Sequence, residues 1–187
     1  MARARWKHVL AGAIAVQCIA TVIVLFKFET QDQVRVAIGT ESLDEFLTGS
    51  LAIYRANKYI QTLPKDSRIA LYDEVFGFYV DRDYFWANPG HSMLIPYESM
   101  QSASDYVIAM RRLGFTHIYI NLFTGDMRFP AAIGYGTDLL PYSEEERSAM
   151  MLNLDLRWKV LLADASAQGL IRPQATFGMS VVFSIDL

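Results

Sequence analysis

Two pairs of acidic residues are the first candidates for chemistry in this sequence. Asp73 and Glu74 directly follow the strand-like run Arg68–Tyr72, and Asp81 and Asp83 flank a single arginine. Carboxylates that share a site do acid–base chemistry, and α/β folds place active residues just after strands. Adjacent residues of a strand point to opposite faces, so we expect Asp73 and Glu74 to be kept apart. We expect Asp81 and Asp83 to lie in a solvated hairpin turn, so no catalytic pair is predicted.

The histidines, cysteine and glycines predict no metal site, nucleophile or nucleotide site. His91 follows a Pro-Gly turn and His117 begins a strand-like run, and neither has a second ligand at metal-binding spacing. Cys18, the one cysteine, lies in an apolar block, so the rest of the chain has no thiol. The Gly134–Gly136 segment opens no helix in dinucleotide-binding spacing. We therefore expect no cofactor, no metal and no catalytic residue, and a protein that is not an enzyme.

A stand-alone enzyme remains the minor alternative, and it depends on one segment. Residues 122–142 contain three glycines and two prolines and predict a long irregular loop. Long ordered loops are often functional. Folded over the ends of the strands, this loop would bring Asp126 or Asp138 toward Asp73. It would equally serve to wrap a neighbouring subunit.

The N-terminal residues predict a membrane anchor. Val9 to Phe26 is a run of eighteen residues without a formal charge, and a helix of that length spans roughly 27 Å, close to a bilayer's hydrocarbon core. We assign a transmembrane helix to residues 9–28 and a basic cytoplasmic tail to residues 1–8. The positive-inside rule then places the N-terminus in the cytoplasm and the bulk of the chain outside it. We expect the membrane to be a bacterial inner membrane, with that bulk in the periplasm. A cleaved secretory signal and the last helix of a longer membrane protein are the alternatives.

The charge of the remaining chain excludes one class of partner. Beyond residue 28 there are 13 basic and 20 acidic residues, a net charge of −7. Nucleic acid requires clustered lysine and arginine to displace its counterions. We therefore expect no nucleic-acid partner.

Helix and strand signals alternate beyond a linker at residues 29–39. Ser42 and Glu45 have the spacing of a capping box, Gly114 stands where a helix ends, and Ser143 begins a helix rich in glutamate. We predict an external domain over residues 40–187, folded as a three-layer, Rossmann-like α/β sandwich of about four mainly parallel strands. The strand signals lie at residues 68–72, 78–80, 84–86, 116–120 and 180–185, and the main helix signals at 51–63, 104–113 and 143–167.

Three stretches in this order resemble one protein family. They are Leu63–Ala70, with the pattern L-P-x-D-x-R-I, the aromatic segment Phe76–Trp86, and Arg111–Asn121. Together with the membrane helix, residues 50–121 resemble the C-terminal extracytoplasmic domain of bacterial protein-mannosyltransferase-like glycosyltransferases of the GT-C class. The resemblance implies an α/β domain on the outer face of a membrane. Catalysis in that family depends on acidic residues in a many-helix membrane body with no counterpart here, so the resemblance implies no catalytic residue.

Two features predict contact with a partner protein. Two alanines and a glutamine share one face of the predicted membrane helix, where small residues allow close approach and glutamine bonds another helix. Three consecutive aromatic residues in a strand cannot all face the core, so one side of them faces outward. The candidate partner contacts are Ala13, Gln17, Ala20, Tyr84, Phe85 and Trp86.

These features favour a non-catalytic accessory subunit of a larger membrane complex, of photosynthetic, respiratory or envelope type. Its partners would be other membrane subunits and the lipid bilayer. The alternative is a periplasmic module that binds a glycan or a lipid carrier. In that case Tyr84, Trp86 and His91 would offer stacking and hydrogen bonds to a sugar.

Overall fold

The computed structural model describes residues 2–25, 31–75, 77–91, 93–122, 142–178 and 180–185. These form two compact units, Met1–Ser50 and Leu51–Leu187. Most of the predicted loop at residues 122–142, including Asp126 and Asp138, lies outside the described residues. So do residues 26–28 of the predicted anchor.

The first unit contains three helices: α1 (Ala2–Leu25), α2 (Gln31–Ala37) and α3 (Leu43–Ser50). Every side chain of α1 from Leu10 to Leu25 is exposed. Across the described parts of the chain, no helix combines the length and the apolar character needed to cross a membrane. Residues 31–37 of the predicted linker form α2.

Helix α3 begins at the predicted capping box. The Glu45 N–H donates to Ser42 Oγ, and the Ser42 N–H donates to the Glu45 carboxylate, at 3.1 and 3.0 Å. Hydrogen bonding from Ser42 lowers the pKa of Glu45, since it favours the charged form. Gly49 lies within this helix.

The second unit is a five-stranded mixed sheet with helices on both faces. β1 pairs in parallel with β2 and β3, while β5 pairs antiparallel with β3 and β4, in the order β2-β1-β3-β5-β4. The elements are α4 (Ala52–Ile60), β1 (Arg68–Tyr72), β2 (Asp83–Trp86), α5 (Ala103–Arg112), β3 (His117–Asn121), α6 (Glu144–Leu152), α7 (Leu154–Ala167), β4 (Ile171–Thr176) and β5 (Ser180–Ile185).

The predicted α/β class is confirmed, but the predicted sheet is wrong in two respects. It has five strands instead of about four, and only half of its strand pairs are parallel. The missed strand is β4, an edge strand that contains Pro173 and is mostly exposed. A proline and exposed polar residues are tolerated at an edge, and they conceal a strand from pattern analysis.

Side chains alternate across the sheet and build two cores. Ile69 and Leu71 of β1 pack with α4, whereas Ala70 and Tyr72 face the opposite side, where α5 and α7 lie. Trp158 of α7 is buried there, with its ring stacked on Tyr72 at a centroid distance of 4.6 Å. The sheet is therefore the middle of three layers.

Two predicted local structures are replaced by others. Residues 78–80 are not a strand, because Gly77–Tyr79 form a 3-10 turn. Since β1 and β2 run parallel, Asp81 and Asp83 do not lie in a hairpin. Asp83 instead begins β2 and forms an ion pair with Arg68, in which Asp83 Oδ2 lies 3.0 Å from Arg68 Nε.

The helix starts and ends were predicted with mixed success. Ser143 forms the predicted capping box with Glu146, and Gly114 has a φ of 81° as a helix-ending glycine does. The helix over residues 143–167 is broken at Asn153, whose side chain caps α7. Helix α5 is capped by Ser102, because its hydroxyl accepts from the Asp105 N–H.

Candidate functional site

A cleft of about 360 Å³ opens at the carboxyl ends of β1 and β2. These two strands are parallel neighbours and end at the same edge of the sheet. In open α/β sheets, ligands bind outside the carboxyl ends of the strands. The cleft is lined by Asp73, Glu74, Val75, Trp86, Asn88, Pro89 and His91.

Both acids that follow β1 line this cleft. Strand β1 ends at Tyr72, and Asp73 has a φ of 52°. This left-handed conformation interrupts the alternation of the strand, and aspartate tolerates it better than most residues. Asp73 is held by two reciprocal bonds of 2.8 Å, its N–H donating to Asn88 Oδ1 and Asn88 Nδ2 donating to its carboxylate.

Glu74 is the deepest acid of the cleft and is only 4% exposed. Its carboxylate accepts from Tyr119 Oη at 3.3 Å and from Asn121 Nδ2 at 3.1 Å, both on neighbouring strand β3. It also accepts the Val75 N–H at 2.8 Å. Three donors offset much of the cost of burying a carboxylate. Burial raises the pKa of Tyr119, so its hydroxyl keeps its proton and remains a donor.

Sequence reasoning considered Glu74 but set it aside, and it missed Asn121, although a signal was present. Glu74 and Asn121 are polar residues at the ends of two strand-like runs, where sheet-edge sites form. Only the parallel pairing of β1 with β3 shows that these two ends are neighbours.

Trp86 supplies the aromatic wall of the cleft. Its side chain is 41% exposed, and Tyr84 packs against it edge to face at a centroid distance of 5.4 Å. Gly77 allows this arrangement, because a Cβ at that position would collide with the Tyr84 ring. Phe85 packs toward Phe115 on the other face of the sheet. Of the three predicted aromatic contacts, Trp86 alone lines the cleft.

A buried chain of tyrosine hydroxyls lies close to the cleft. Tyr97 Oη donates to the Ala87 carbonyl at 2.6 Å, and Tyr72 Oη lies 2.5 Å from Tyr97 Oη and 3.0 Å from Tyr106 Oη. A carbonyl only accepts, so the chain runs from Tyr106 to Tyr72 to Tyr97 to Ala87. Burial raises the pKa of all three tyrosines. We call this chain the tyrosine ladder.

The tyrosine ladder fixes both walls of the cleft. Its middle member, Tyr72, directly precedes Asp73, and its final acceptor, Ala87, directly precedes Asn88. The Ala87 N–H also donates to the Leu71 carbonyl at 2.8 Å. The two segments that carry the cleft residues are therefore tied together, although no pattern in the sequence predicts this ladder.

The cleft can bind hydroxyl or amine groups against an aromatic face. Its carboxylates accept hydrogen bonds, its amide and imidazole donate or accept them, and its indole face stacks. Among the described residues, no group of three His, Cys, Asp or Glu side chains is arranged to hold a metal ion. The hydrogen-bonding groups and the indole ring of the lining suit a polar ligand.

Of the remaining residues considered in the sequence, His91 lines the cleft and the others lie elsewhere. Ala13, Gln17 and Ala20 are exposed on α1, and their role as partner contacts stays a prediction. His117 bonds Thr116 through Nδ1 at 2.9 Å, and burial lowers the pKa of His117.

Comparison with known proteins yields a weak structural likeness. No protein-family model matches this sequence, and no curated protein matches it significantly. Among solved structures, the chain is similar to the C-terminal globular domain of an oligosaccharyltransferase from Archaeoglobus fulgidus, with 12% sequence identity and a TM-score of 0.44. The match covers 73% of this chain and 98% of that one.

Proposed function

We propose that this protein is a membrane-anchored, non-catalytic glycan-binding protein whose external domain holds a saccharide in the cleft at the ends of β1 and β2. The observation that supports this most directly is the presence of Trp86, Asn88 and two carboxylates in one cleft. Sugars present hydroxyl groups at their edges and apolar C–H groups on their faces. Carboxylate and amide groups bind the former, and an indole ring packs on the latter.

The cleft is held in place before any ligand enters. Asp73 and Asn88 fix each other by two hydrogen bonds, and Glu74 is fixed by donors from β3. A site whose polar groups are already oriented loses less entropy when it binds. This rigidity favours selective binding of a weakly interacting ligand such as a sugar.

Titration with neutral oligosaccharides tests the proposal directly. The full chain, kept in mild detergent, should change its tryptophan fluorescence as ligand is added, because Trp86 is half exposed in the cleft. Trp86→Ala should weaken binding about tenfold, the equivalent of about 1.4 kcal/mol of lost ring packing. Phe78→Ala is the matched control, since Phe78 is 66% exposed but does not line the cleft. Equal binding by parent and Trp86→Ala would refute the proposal.

We place the chain in a bacterial inner membrane, anchored by residues 9–28 with its N-terminus in the cytoplasm. The uncharged run and its basic flank support this, and so does the exposure of every side chain from Leu10 to Leu25 on all sides of α1. Alkaline carbonate washing should leave the full chain in the membrane pellet. Release of the full chain into the supernatant would contradict the anchor.

An accessory-subunit role is the second candidate. It is favoured by large apolar side chains that the second unit leaves exposed, among them Phe78 at 66%, Met93 at 102% and Leu152 at 84%. Exposed apolar surface often marks a protein interface. After mild-detergent extraction, a native gel should then show a complex larger than the single chain. Migration as a monomer in every detergent tried would remove this candidate.

A further inference from the structure

A second cavity, of about 470 Å³, lies next to the cleft at the ends of β1 and β2. It is lined by residues from the segment 89–99 and by the first two residues of α7. Pro89 lines both cavities, Gly90 lines the second cavity, and His91 lines the cleft. The turn at residues 89–91 is therefore a ridge between two adjacent cavities. Both have the size of small-molecule sites, roughly 300–1,000 Å³.

The second cavity has the mixed lining that suits a sugar. Met93 and Leu154 supply apolar groups, and Glu98, Ser99 and Asp155 supply polar ones. Both apolar side chains are accessible to a ligand, and Met93 is fully exposed. A sugar has apolar C–H faces and hydroxyl edges, so it can use both kinds of group at once.

Hydrogen bonds hold the second cavity at a fixed position relative to the cleft. Arg157 of α7 donates to the Tyr97 and Glu98 carbonyls at 3.0 and 2.9 Å, which ties the two walls of the second cavity together. The Tyr97 hydroxyl, in the tyrosine ladder, donates to the Ala87 carbonyl directly before Asn88 of the cleft. Tyr97 therefore fixes a wall of each cavity. A ligand that reaches both gains from two sites whose spacing is already set.

We infer that the two cavities are consecutive subsites, and that the ligand is an oligosaccharide long enough to cross the ridge at residues 89–91. This inference rests on the proposed glycan-binding function and extends it from the cleft to the second cavity. Gly90 keeps the crossing open, because it has no side chain and a Cβ placed there would meet no atom within 4 Å.

Oligosaccharides of different length test the inference. Neutral oligomers derived from chitin, cellulose and amylose are each used as the disaccharide and the hexasaccharide. They are titrated into the full chain, kept in a detergent without a sugar headgroup, while tryptophan fluorescence is followed. In any series that binds, the hexasaccharide should bind about tenfold more tightly than the disaccharide, because it alone reaches both cavities.

Two variants assign this preference to the second cavity. Gly90→Asn adds a side chain at the ridge, and asparagine tolerates a positive φ better than most residues. It should weaken hexasaccharide binding about tenfold and leave disaccharide binding unchanged. Gly169→Asn is the matched control, since Gly169 also has a positive φ and open surroundings but lies outside the lining described for either cavity. Met93→Ala trims an exposed side chain and should weaken the hexasaccharide alone, about threefold.

The possible failures are distinguishable. Equal affinity for disaccharide and hexasaccharide would overturn the second subsite while glycan binding stands. A length preference that survives both Gly90→Asn and Met93→Ala would also overturn it, because a longer chain offers more ways to place one disaccharide in a single cleft. Circular dichroism verifies the fold of each variant, and Met93→Ala alone decides if Gly90→Asn does not fold. Failure of every oligosaccharide to bind would overturn the glycan-binding function itself.

Discussion

Replacing the three members of the tyrosine ladder by phenylalanine, one at a time, should lower stability in a fixed order. The order follows from the direction of the hydroxyl protons toward the Ala87 carbonyl. Tyr106→Phe removes only the first donor and leaves no hydroxyl proton without an acceptor. Tyr72→Phe leaves the Tyr106 hydroxyl with no acceptor in the ladder. Tyr97→Phe leaves one such hydroxyl and also removes the donor to the Ala87 carbonyl.

The magnitudes follow from the burial of these groups. All three tyrosine side chains are at most 4% exposed. A lost buried hydrogen bond costs about 1 kcal/mol, and each buried polar group left unpaired costs about 1–3 kcal/mol. We expect losses of about 0.5–1 kcal/mol for Tyr106→Phe, about 1–2 for Tyr72→Phe and about 2–4 for Tyr97→Phe. For a domain of this size, these correspond to decreases in melting temperature of about 3, 5 and 10 °C.

Thermal unfolding of the full chain in mild detergent, followed by circular dichroism, measures this series. Because burial raises the pKa of each tyrosine, the order should be the same from about pH 6 to pH 9. Tyr79→Phe is a control outside the ladder, and its ring is only partly buried. A Tyr106→Phe variant as unstable as Tyr97→Phe would refute the proton direction and the reasoning from it.

Four further substitutions test other parts of the chain. Burial lowers the pKa of His117, so its neutral ring stabilises the fold above about pH 6.5, and this stabilisation is lost as the pH falls. Between about pH 7.5 and 5, His117→Gln should therefore lose less thermal stability than the parent. Gly77→Ala forces a methyl group against the Tyr84 ring and should cost about 1–3 kcal/mol. Gly49→Ala, with open space around the added carbon, should be neutral or slightly stabilising in the same melting experiment. Arg147 donates two hydrogen bonds to the Asp164 carboxylate of α7. Arg147→Lys cannot make both bonds and should lower the free energy of unfolding by about 0.5–1 kcal/mol. A larger loss would show a buried ion pair.

Local signals account for the elements that were predicted well. The capping boxes at Ser42 and Ser143 each join residues three apart, so the sequence contains both partners. Strand β1 covers the predicted residues 68–72 and β5 the predicted residues 180–185, because each is a compact run of strand-forming residues. The helix end at Gly114 depends on one residue that tolerates a positive φ.

Elements that depend on contacts outside their own segment were not predictable in the same way. Strand β4 contains a proline and is stabilised by pairing with β5, whose residues follow it in the chain. A 3-10 turn at residues 77–79 replaces a predicted strand, and its glycine lies against Tyr84. Propensity at these positions is overridden by tertiary packing.

The sequence alone determined the alternating α/β pattern, the acidic charge of the chain beyond residue 28, and the types of residue available for chemistry. It also named Trp86 and His91 as residues suited to a sugar. Only the tertiary structure placed both acids in the same cleft as those two residues, because this requires the left-handed turn at Asp73 and the parallel pairing of β1 with β2. The physical reason is twofold. One backbone torsion sets the direction of the chain after a strand, and the choice of neighbouring strands sets which strand ends meet. Contacts between residues far apart in the sequence decide both.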